Sequence, residues 1–568
     1  VTTIPTCNTS LPHVAGAFET IAEALDYAAR GETGLCIYRA GGEVEIEVSY
    51  RQLRARALAM AARLGSLGLP RGARVAVLAE TSIDYLAVFY GCQYAGLVPC
   101  PVPHALYLGG KAAYVARISS LVASAGAALL CLPDALRGLA PEITAPTPVR
   151  TLTFRGLEAL PAEGAITPLG PGDPAYLQFS SGSTSQPKGI VATQATVAAN
   201  IRGILRECIR IRPQDRAFSW LPLYHDMGMV GFALAPLFAQ TSIDYISPGL
   251  FARSPGLWLE LMARNRTSVT FSPSFGYDLA ARRAGQSCRW LDLSALRVAG
   301  IGGDMIRPGV LQRFAEAFAP AGFNPAAYTP SYGMAESTLL VSYEHGLALD
   351  TVDLALLEAR SLARPVGPGE PVVPSRSFVI CGRALAEHQL SVIDAAGVAL
   401  PDRHIGEIVV RGPSLAAQAV TAQGLIALTD RSGLLATGDL GYLADGRLVV
   451  TGRSKELICL NGRNLWPQDI EEAIVGSAAN GVKRAAVFAV DDGEMVRIVA
   501  LVEAPAMTPE ARETALAEIA AAVLAAAGVS VQVVFVAPRS LPYTSSGKLA
   551  RALAREIYLA AQTPLLPA

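Results

Sequence analysis

Short apolar runs alternate with alanine-rich amphipathic stretches along most of the chain, and this alternation is the feature that most restricts what it can fold into. The runs pass from "FETIAEALDYAA" through "ARVAVLAE" and "DYLAVFYGCQYAG" to "AALLCL", then on through "TSVTFSPS", "LRVAGIGG" and "GVLQRFAEAF". Strands alternating with helices at this spacing predict an α/β fold. The texture then changes. "HQLSVIDAAGVAL", "GEIVVRGPS" and "GRLVVTGR" are strands separated by Gly and Asp turns, which predicts a β-rich subdomain at about residues 376–452. After Arg453 the α/β texture returns in "IEEAIVGSA", "RAAVFAVDD", "RIVALVEA" and "VQVVFVA". A chain of 568 residues exceeds what one core usually organises. The expected division is a large N-terminal domain, 1–453, and a small C-terminal α/β domain, 454–568.

Composition narrows the function classes. Lys+Arg 47 against Asp+Glu 48 leaves a formal net charge of -1, so no basic excess attracts nucleic acid or an anionic membrane. The nine cysteines are scattered, with no CxxC pair, which argues against a zinc site or a disulfide framework and fits a reducing, cytoplasmic compartment. The greasiest stretch, "AAAVLAAAGVSVQVVFVA" from Ala520, contains Gly528, Ser530 and Gln532 and reads as helix, turn and strand rather than a membrane span. No secretion leader is read at the start. The abrupt beginning and Pro-rich tail are compatible with one piece of a longer polypeptide.

"SSGSTSQPKG", Ser180 to Gly189, gathers hydroxyls and glycines around Lys188. Glycines let backbone N–H groups approach an anion, hydroxyls donate, and the lysine adds a compact charge, so the loop suits a polyphosphate. It is read as joining a strand, "PAYLQFS", to a helix, "TQATVAANIRGIL", with Thr193 as N-cap. It is not a Walker A loop, because Pro187 precedes Lys188 and Gly189 comes after it. A plain flexible loop is the alternative reading.

Five further motifs lie downstream: "LPLYHDMGMVG" from Leu221, "SYGMAEST" from Ser331, "TGDLGYL" from Thr437, "TGRSKELICLNGRNLWPQDIEE" from Thr451 and "LPYTSSGKLAR" from Leu541. In this order the six resemble the adenylate-forming superfamily of acyl-CoA synthetases, adenylation domains and luciferases, over nearly the whole chain. "YHDMG" and "YGMAEST" look most like the fatty acyl-AMP ligases. The resemblance implies a large domain of two helix-flanked sheet subdomains plus the β-rich one, and a mobile C-terminal lid. It also implies an ATP- and Mg²⁺-dependent activation of a fatty acid to acyl-adenylate, with transfer to the phosphopantetheine thiol of an acyl carrier protein. A monomer, or one domain of a larger synthase of polyketide or nonribosomal peptide assembly, suits that context.

Residue by residue, the resemblance implies that Lys548 reaches from the small domain to the carboxylate and α-phosphate. At about 4 Å and an effective dielectric near 20 such a charge is worth about 4 kcal/mol. Thr184 and Lys188 would hold the β- and γ-phosphates, with Glu336 and Thr184 toward Mg²⁺. Tyr332 would offer a face to adenine, beside Gly333, Met334 and Ala335; Asp439 would accept from the ribose hydroxyls; and Arg453 would contact ribose or phosphate. Gly302, Gly303 and Asp304 match an adenine-edge loop, although "GIGGDM" departs from its commoner wording. His225 would close the acyl pocket and face the mixed anhydride. Trp220, Met227, Met229 and Phe275 are candidates to line an acyl tunnel, where each buried methylene gains roughly 0.8 kcal/mol; ordinary core contacts are the alternative.

Lys455 falls at the family's hinge. The stretch at about 347–374 reads as irregular, its four prolines in "RPVGPGEPVVP" stopping strand and helix alike, and it matches in place the insertion that characterises acyl-AMP ligases. Docked on the large domain, it would restrict hinge rotation and disfavour free CoA. An acyl-CoA synthetase and a non-catalytic nucleotide- or acyl-binding module are the rival readings.

Overall fold

The computed structural model describes residues 3–104, 110–180, 187–285, 287–288, 290–367, 373–460, 463–477, 481–491, 496–543 and 548–562. A large N-terminal α/β region carries a smaller C-terminal α/β subdomain. One 14-stranded sheet runs through the large region. Its parallel part includes Gly34–Tyr38, Ser242–Tyr245, Arg216–Ser219, Val269–Ser272, Val298–Ile301 and Tyr328–Gly333. The antiparallel strand Leu340–Tyr343 then links this part to the β-rich strands Ser375–Ala384, Arg447–Arg453, Leu435–Ala444, Gly406–Arg411 and Gln389–Ile393. The change of sequence texture is therefore a change of strand direction within one hydrogen-bonded sheet. A second, four-stranded parallel sheet is built from Val98–Val102, Arg74–Leu78, Leu129–Leu132 and Arg150–Thr153.

Local chemistry fixes many boundaries. The helix Ile21–Ala28 starts on a capping box of Thr20 and Glu23. The helix Pro509–Ala527 starts at Thr508 with proline in its first turn and stops at Gly528, whose φ of 64° a glycine adopts without strain. The strand Gln532–Val536 comes next, so the greasy stretch is helix, turn and strand as expected. In the C-terminal subdomain Arg484–Asp491 and Val496–Glu503 pair antiparallel, with Gln532–Val536 parallel beside them. No described helix is long and apolar enough to cross a membrane.

Two expectations need correction. The loop after Pro174–Ser180 does not lead into a helix: it leads into a second strand, Lys188–Thr193, antiparallel to the first, with Ser180 opposite Lys188. The helix Gln194–Gly203 begins only afterwards, capped by Thr193 as expected. The short run "GIVAT" is β-branched and apolar enough to pair, and the sequence reading absorbed it into its neighbours. The second correction concerns 347–374. Its first half is regular, a strand Leu349–Asp353 paired with Ser375–Ala384 and a helix Leu354–Arg360 capped by Asp353. All four prolines, Pro365, Pro368, Pro371 and Pro374, fall downstream of that helix and leave it free to form.

Candidate active site

Glu336, Asp304, Asp439, Arg453 and Lys548 come together where the strands Tyr328–Gly333 and Leu435–Ala444 meet the C-terminal subdomain. Asp439 and Arg453 are register partners on adjacent antiparallel strands, and their side chains pair at 3.1 Å. Tyr332 donates its hydroxyl to the other Asp439 oxygen at 2.8 Å. An ionised carboxylate offers about four acceptor positions, so this pairing leaves Asp439 able to accept from further hydroxyls. Burial, then the Asp439 charge, pushes the Tyr332 phenol well up, which keeps it a donor.

Lys548 is half-buried in the same place. Burial and the Arg453 charge pull its ammonium below the usual lysine range, while Asp226, Asp304 and Asp439 oppose them. Asp304 responds in the opposite sense: burial raises its carboxyl above the ordinary range, with Lys548 as the main counterweight. The loop that holds Lys548 is tied down three residues later. Arg551 donates to both oxygens of Glu471 at 2.7 Å each and to Glu456 at 2.6 Å. Glu456 sits next to Lys455 on the single turn Ser454–Glu456 that continues from Arg447–Arg453. The hinge candidate is thus one residue from the anchor of the lysine loop.

His225 precedes the short helix Asp226–Gly228. Its Nδ1 lies 2.5 Å from Asp226 Oδ1, which also accepts from the Met227 N–H at 2.7 Å. The Tyr224 carbonyl accepts from the Gln178 amide at 2.7 Å, so the histidine is fixed from both sides. Burial alone would raise the Asp226 carboxyl; His225 and then Lys548 outweigh it and hold Asp226 below its ordinary value. Asp226 was not singled out from the sequence, although it adjoins His225 in "YHDMG"; nor was Arg551, although "GKLAR" contains it.

Glu336 stands on one turn of 3-10 helix, Ala335–Ser337. Burial, with Asp226 and Asp439 adding to it, raises its carboxyl above the ordinary range. A carboxylate so placed gains from a cation. No cage of three or more His, Cys, Asp or Glu side chains exists among the described residues; a magnesium ion held by a single carboxylate would take most of its ligands from phosphate and water. Lys188 is half-buried at the base of the hairpin loop. Thr184 lies outside the described residues.

Of the acyl-pocket candidates, Trp220 and Phe275 belong to an aromatic cluster. Trp220 stacks on Phe251 at 3.8 Å and meets Phe275 edge-on at 5.6 Å. Met229 is fully buried, whereas Phe275 is 40% exposed. Gly303 has a φ of +81°, and a Cβ there would stand 2.9 Å from Met227 Cε. A Cβ on Gly302 would stand 2.7 Å from Ser331 Oγ. The adenine-edge candidates and the His225 segment therefore lie against each other, and a side chain at Gly303 would be strained by its φ and would displace the Met227 methyl.

Residues 29–418 match the AMP-binding enzyme family. The chain belongs to that family. It is a catalytic adenylate-forming ligase by this membership, and the smaller C-terminal subdomain completes the family's fold. A putative acyl-CoA synthetase of Caulobacter vibrioides is 43% identical over 96% of both chains. The long-chain-fatty-acid–AMP ligase FadD32 of Mycolicibacterium smegmatis is 30% identical over 90% of this chain and 89% of its own length. A solved structure from studies of fatty acyl-adenylate ligases of E. coli and L. pneumophila is 38% identical, with a TM-score of 0.90 over 97% of this chain and 99% of that one.

Proposed function

We propose that this AMP-binding enzyme activates a fatty acid with ATP and passes the acyl group to the phosphopantetheine thiol of an acyl carrier protein. The observation that carries the adenylation half is Lys548, delivered by the C-terminal subdomain into a charged cluster with Asp226, Asp304, Asp439 and Arg453. A fatty carboxylate oxygen attacks the α-phosphorus, the bond to the β-phosphate oxygen breaks, and pyrophosphate leaves. Lys548 neutralises the two anions that meet there. Lys188 and Thr184 hold the β- and γ-phosphates, and Glu336 with Thr184 holds magnesium, which when bound neutralises phosphate charge. Tyr332, with Gly333, Met334 and Ala335, borders adenine along with Gly302, Gly303 and Asp304, and Asp439 takes the ribose hydroxyls. Arg453 contacts ribose or phosphate.

His225, set by Asp226, faces the mixed anhydride. The fatty chain lies toward Trp220, Met227, Met229 and Phe275. In the second half-reaction rotation at Lys455 withdraws Lys548, the carrier's thiolate attacks the acyl carbonyl, and AMP leaves. The names of the FadD32 relative and of the solved ligase at 38% identity support a fatty acid as substrate. A megasynthase of polyketide or peptide assembly would be the source of the carrier.

Free CoA as acceptor is the second reading, favoured by the name of the 43% identical relative. The 347–374 stretch bears on the choice. It is stitched to the large sheet through Leu349–Asp353 and reaches the C-terminal subdomain as well. Arg463 donates its Nε to Glu358 at 3.0 Å and Asn464 donates to Ser361 at 3.1 Å, and beside the stretch, on the strand Ser375–Ala384, Arg376 faces Asp469 at 2.7 Å. These contacts support a stretch that resists hinge rotation. Deleting about residues 347–374 should then raise CoA ligation; a deletion variant that gains none would count against the restraint.

The same seam should respond to pH. Burial lifts the Asp469 carboxyl to about 6; Arg376 opposes the rise, and Glu472, Glu358 and Glu471 add to it. The folded value lies above the ordinary one, so the folded state binds the proton more tightly. The contribution of Asp469 is therefore largest at low pH and is lost as pH rises from about 4 to about 6, with the ion pair to Arg376 offsetting part of that loss. Limited proteolysis across this range should show Asp469→Asn losing that dependence; an identical slope in both proteins would exclude Asp469 as its source.

The ribose contact predicts that Asp439→Ala weakens ATP binding by about 2 kcal/mol, roughly 30-fold, because a charged acceptor is lost. Calorimetric titration reads this directly, and unchanged affinity would contradict the contact.

A further inference from the structure

Glu336 has little of its own to hold it in place, since it sits on a turn of three residues. The backbone just after that turn is strained. Thr338 has φ 68° and ψ −56°, and the Leu339 N–H donates back to the Ser337 carbonyl at 2.9 Å. This is a γ-turn of the rare hand, on a β-branched residue that avoids positive φ. Such a conformation persists only where the surroundings impose it.

The surroundings that impose it come from one segment. Thr338, itself buried, donates its hydroxyl to the Ser414 carbonyl at 2.8 Å. The Ala416 N–H donates to the Glu336 carbonyl at 2.8 Å. Ser414 Oγ accepts from the Asn200 amide at 3.1 Å and meets His388 Nε2 at 2.6 Å. Asn200 also clamps Leu340 from both ends, accepting from its N–H at 3.0 Å and donating to its carbonyl at 2.8 Å. Thr338, Ser414 and Asn200 are all almost wholly buried, so each lost bond would leave a polar group without water.

The segment then continues to the phosphate loop. Gln418–Thr421 pairs antiparallel with Lys188–Thr193, Ala419 opposite Ile190 and Val420 opposite Gly189. Ile190, Ala335, Ala416 and Ala419 pack as one small apolar cluster. Residues 414–420 thus touch the Glu336 turn at one end and the strand of Lys188 at the other. We infer that Thr338 and the 414–420 segment are positioning elements, which hold the Glu336 carboxylate at a fixed place relative to the phosphate-binding hairpin. The strained turn at Thr338 is the joint. The inference rests on the reading of Glu336 as the residue toward magnesium.

The test is ATP binding without turnover, measured by calorimetry with magnesium and with EDTA. The variants are Thr338→Val, which keeps the shape and loses the hydroxyl, Thr338→Ser, which keeps it, and Thr338→Gly, which loses it while relieving the backbone. Thr338→Gly folds without strain, so an unstable Thr338→Val does not end the test. The affinity gained from magnesium should shrink by about 10-fold in the valine and glycine variants and stay at the wild-type level in the serine variant. Affinity in EDTA should not change. In a Glu336→Gln background, adding Thr338→Val should have no further effect. A full magnesium gain in both Thr338→Val and Thr338→Gly would overturn the inference, as would an equal loss in the Glu336→Gln background. If Glu336→Gln alone keeps the full magnesium gain, the magnesium reading of Glu336 fails, and the positioning inference falls with it.

Discussion

Lys548→Ala is expected to lower acyl-adenylate formation by at least about 10²-fold while leaving the protein as stable as before. The two halves of this expectation have separate causes. The rate should fall because the attack of one anion on another then proceeds without the charge that Lys548 brings to the cluster. Stability holds because burial and Arg453 already disfavour the ammonium in this place, so alanine removes a group that the surroundings tolerate rather than favour. The defect should also be confined to one half-reaction. Given preformed acyl-adenylate and a carrier thiol, the variant should transfer at the wild-type rate, since the proposed hinge rotation would withdraw Lys548 from that step. Pyrophosphate release measured beside single-turnover transfer separates the two, and near-normal adenylation would remove Lys548 from the chemistry.

Gly333→Ala should damage stability and activity together. A Cβ at Gly333 would stand 1.7 Å from the Leu339 carbonyl oxygen, 2.8 Å from its carbon and 3.0 Å from Leu340 Cα. All three are backbone atoms at the start of the paired strand, where the register already shifts, so no side-chain rotation relieves the clash. The loss should be about 3 kcal/mol or more. Tyr332 and Glu336 lie on either side and would move with the strand; a displacement near 1 Å costs adenylation roughly 10²-fold. Gly138→Ala is the matched control, because nothing lies within 4 Å of a Cβ there. Equal melting temperatures for the two variants would show that the close approach at Gly333 is not sustained.

Much of this architecture was legible because its signals are local. Apolar periodicity, the Thr193 cap and the turn at Gly528 act within a few residues of themselves, and the structure uses each of them. The order of the six motifs carried the family. What was misread or missed depends on partners distant in sequence. The strand Lys188–Thr193 exists because Pro174–Ser180 lies on one side and Gln418–Thr421 on the other, and neither neighbour is visible in "KGIVAT". The helix Leu354–Arg360 was lost beside a proline cluster that begins only after it ends. Asp226 matters through His225 and Lys548, Arg551 through Glu456 and Glu471, and Thr338 through Ser414; in each case the residue type was plain and the partner was not. The insertion was expected on the large domain, and its ion pair from Glu358 to Arg463 appears only once the C-terminal subdomain is in place.

The most direct test of the central claim supplies the protein with ATP, Mg²⁺ and a ladder of fatty acids, offers either CoA or a phosphopantetheinylated carrier protein, and identifies products by mass spectrometry. The account predicts acyl-adenylate with every accepted acid, acyl-carrier when the carrier is present, and no acyl-CoA. Abundant acyl-CoA would make the chain a CoA synthetase whose 347–374 stretch does not restrain the hinge, and absence of acyl-adenylate from every fatty acid would contradict the proposed substrate class outright.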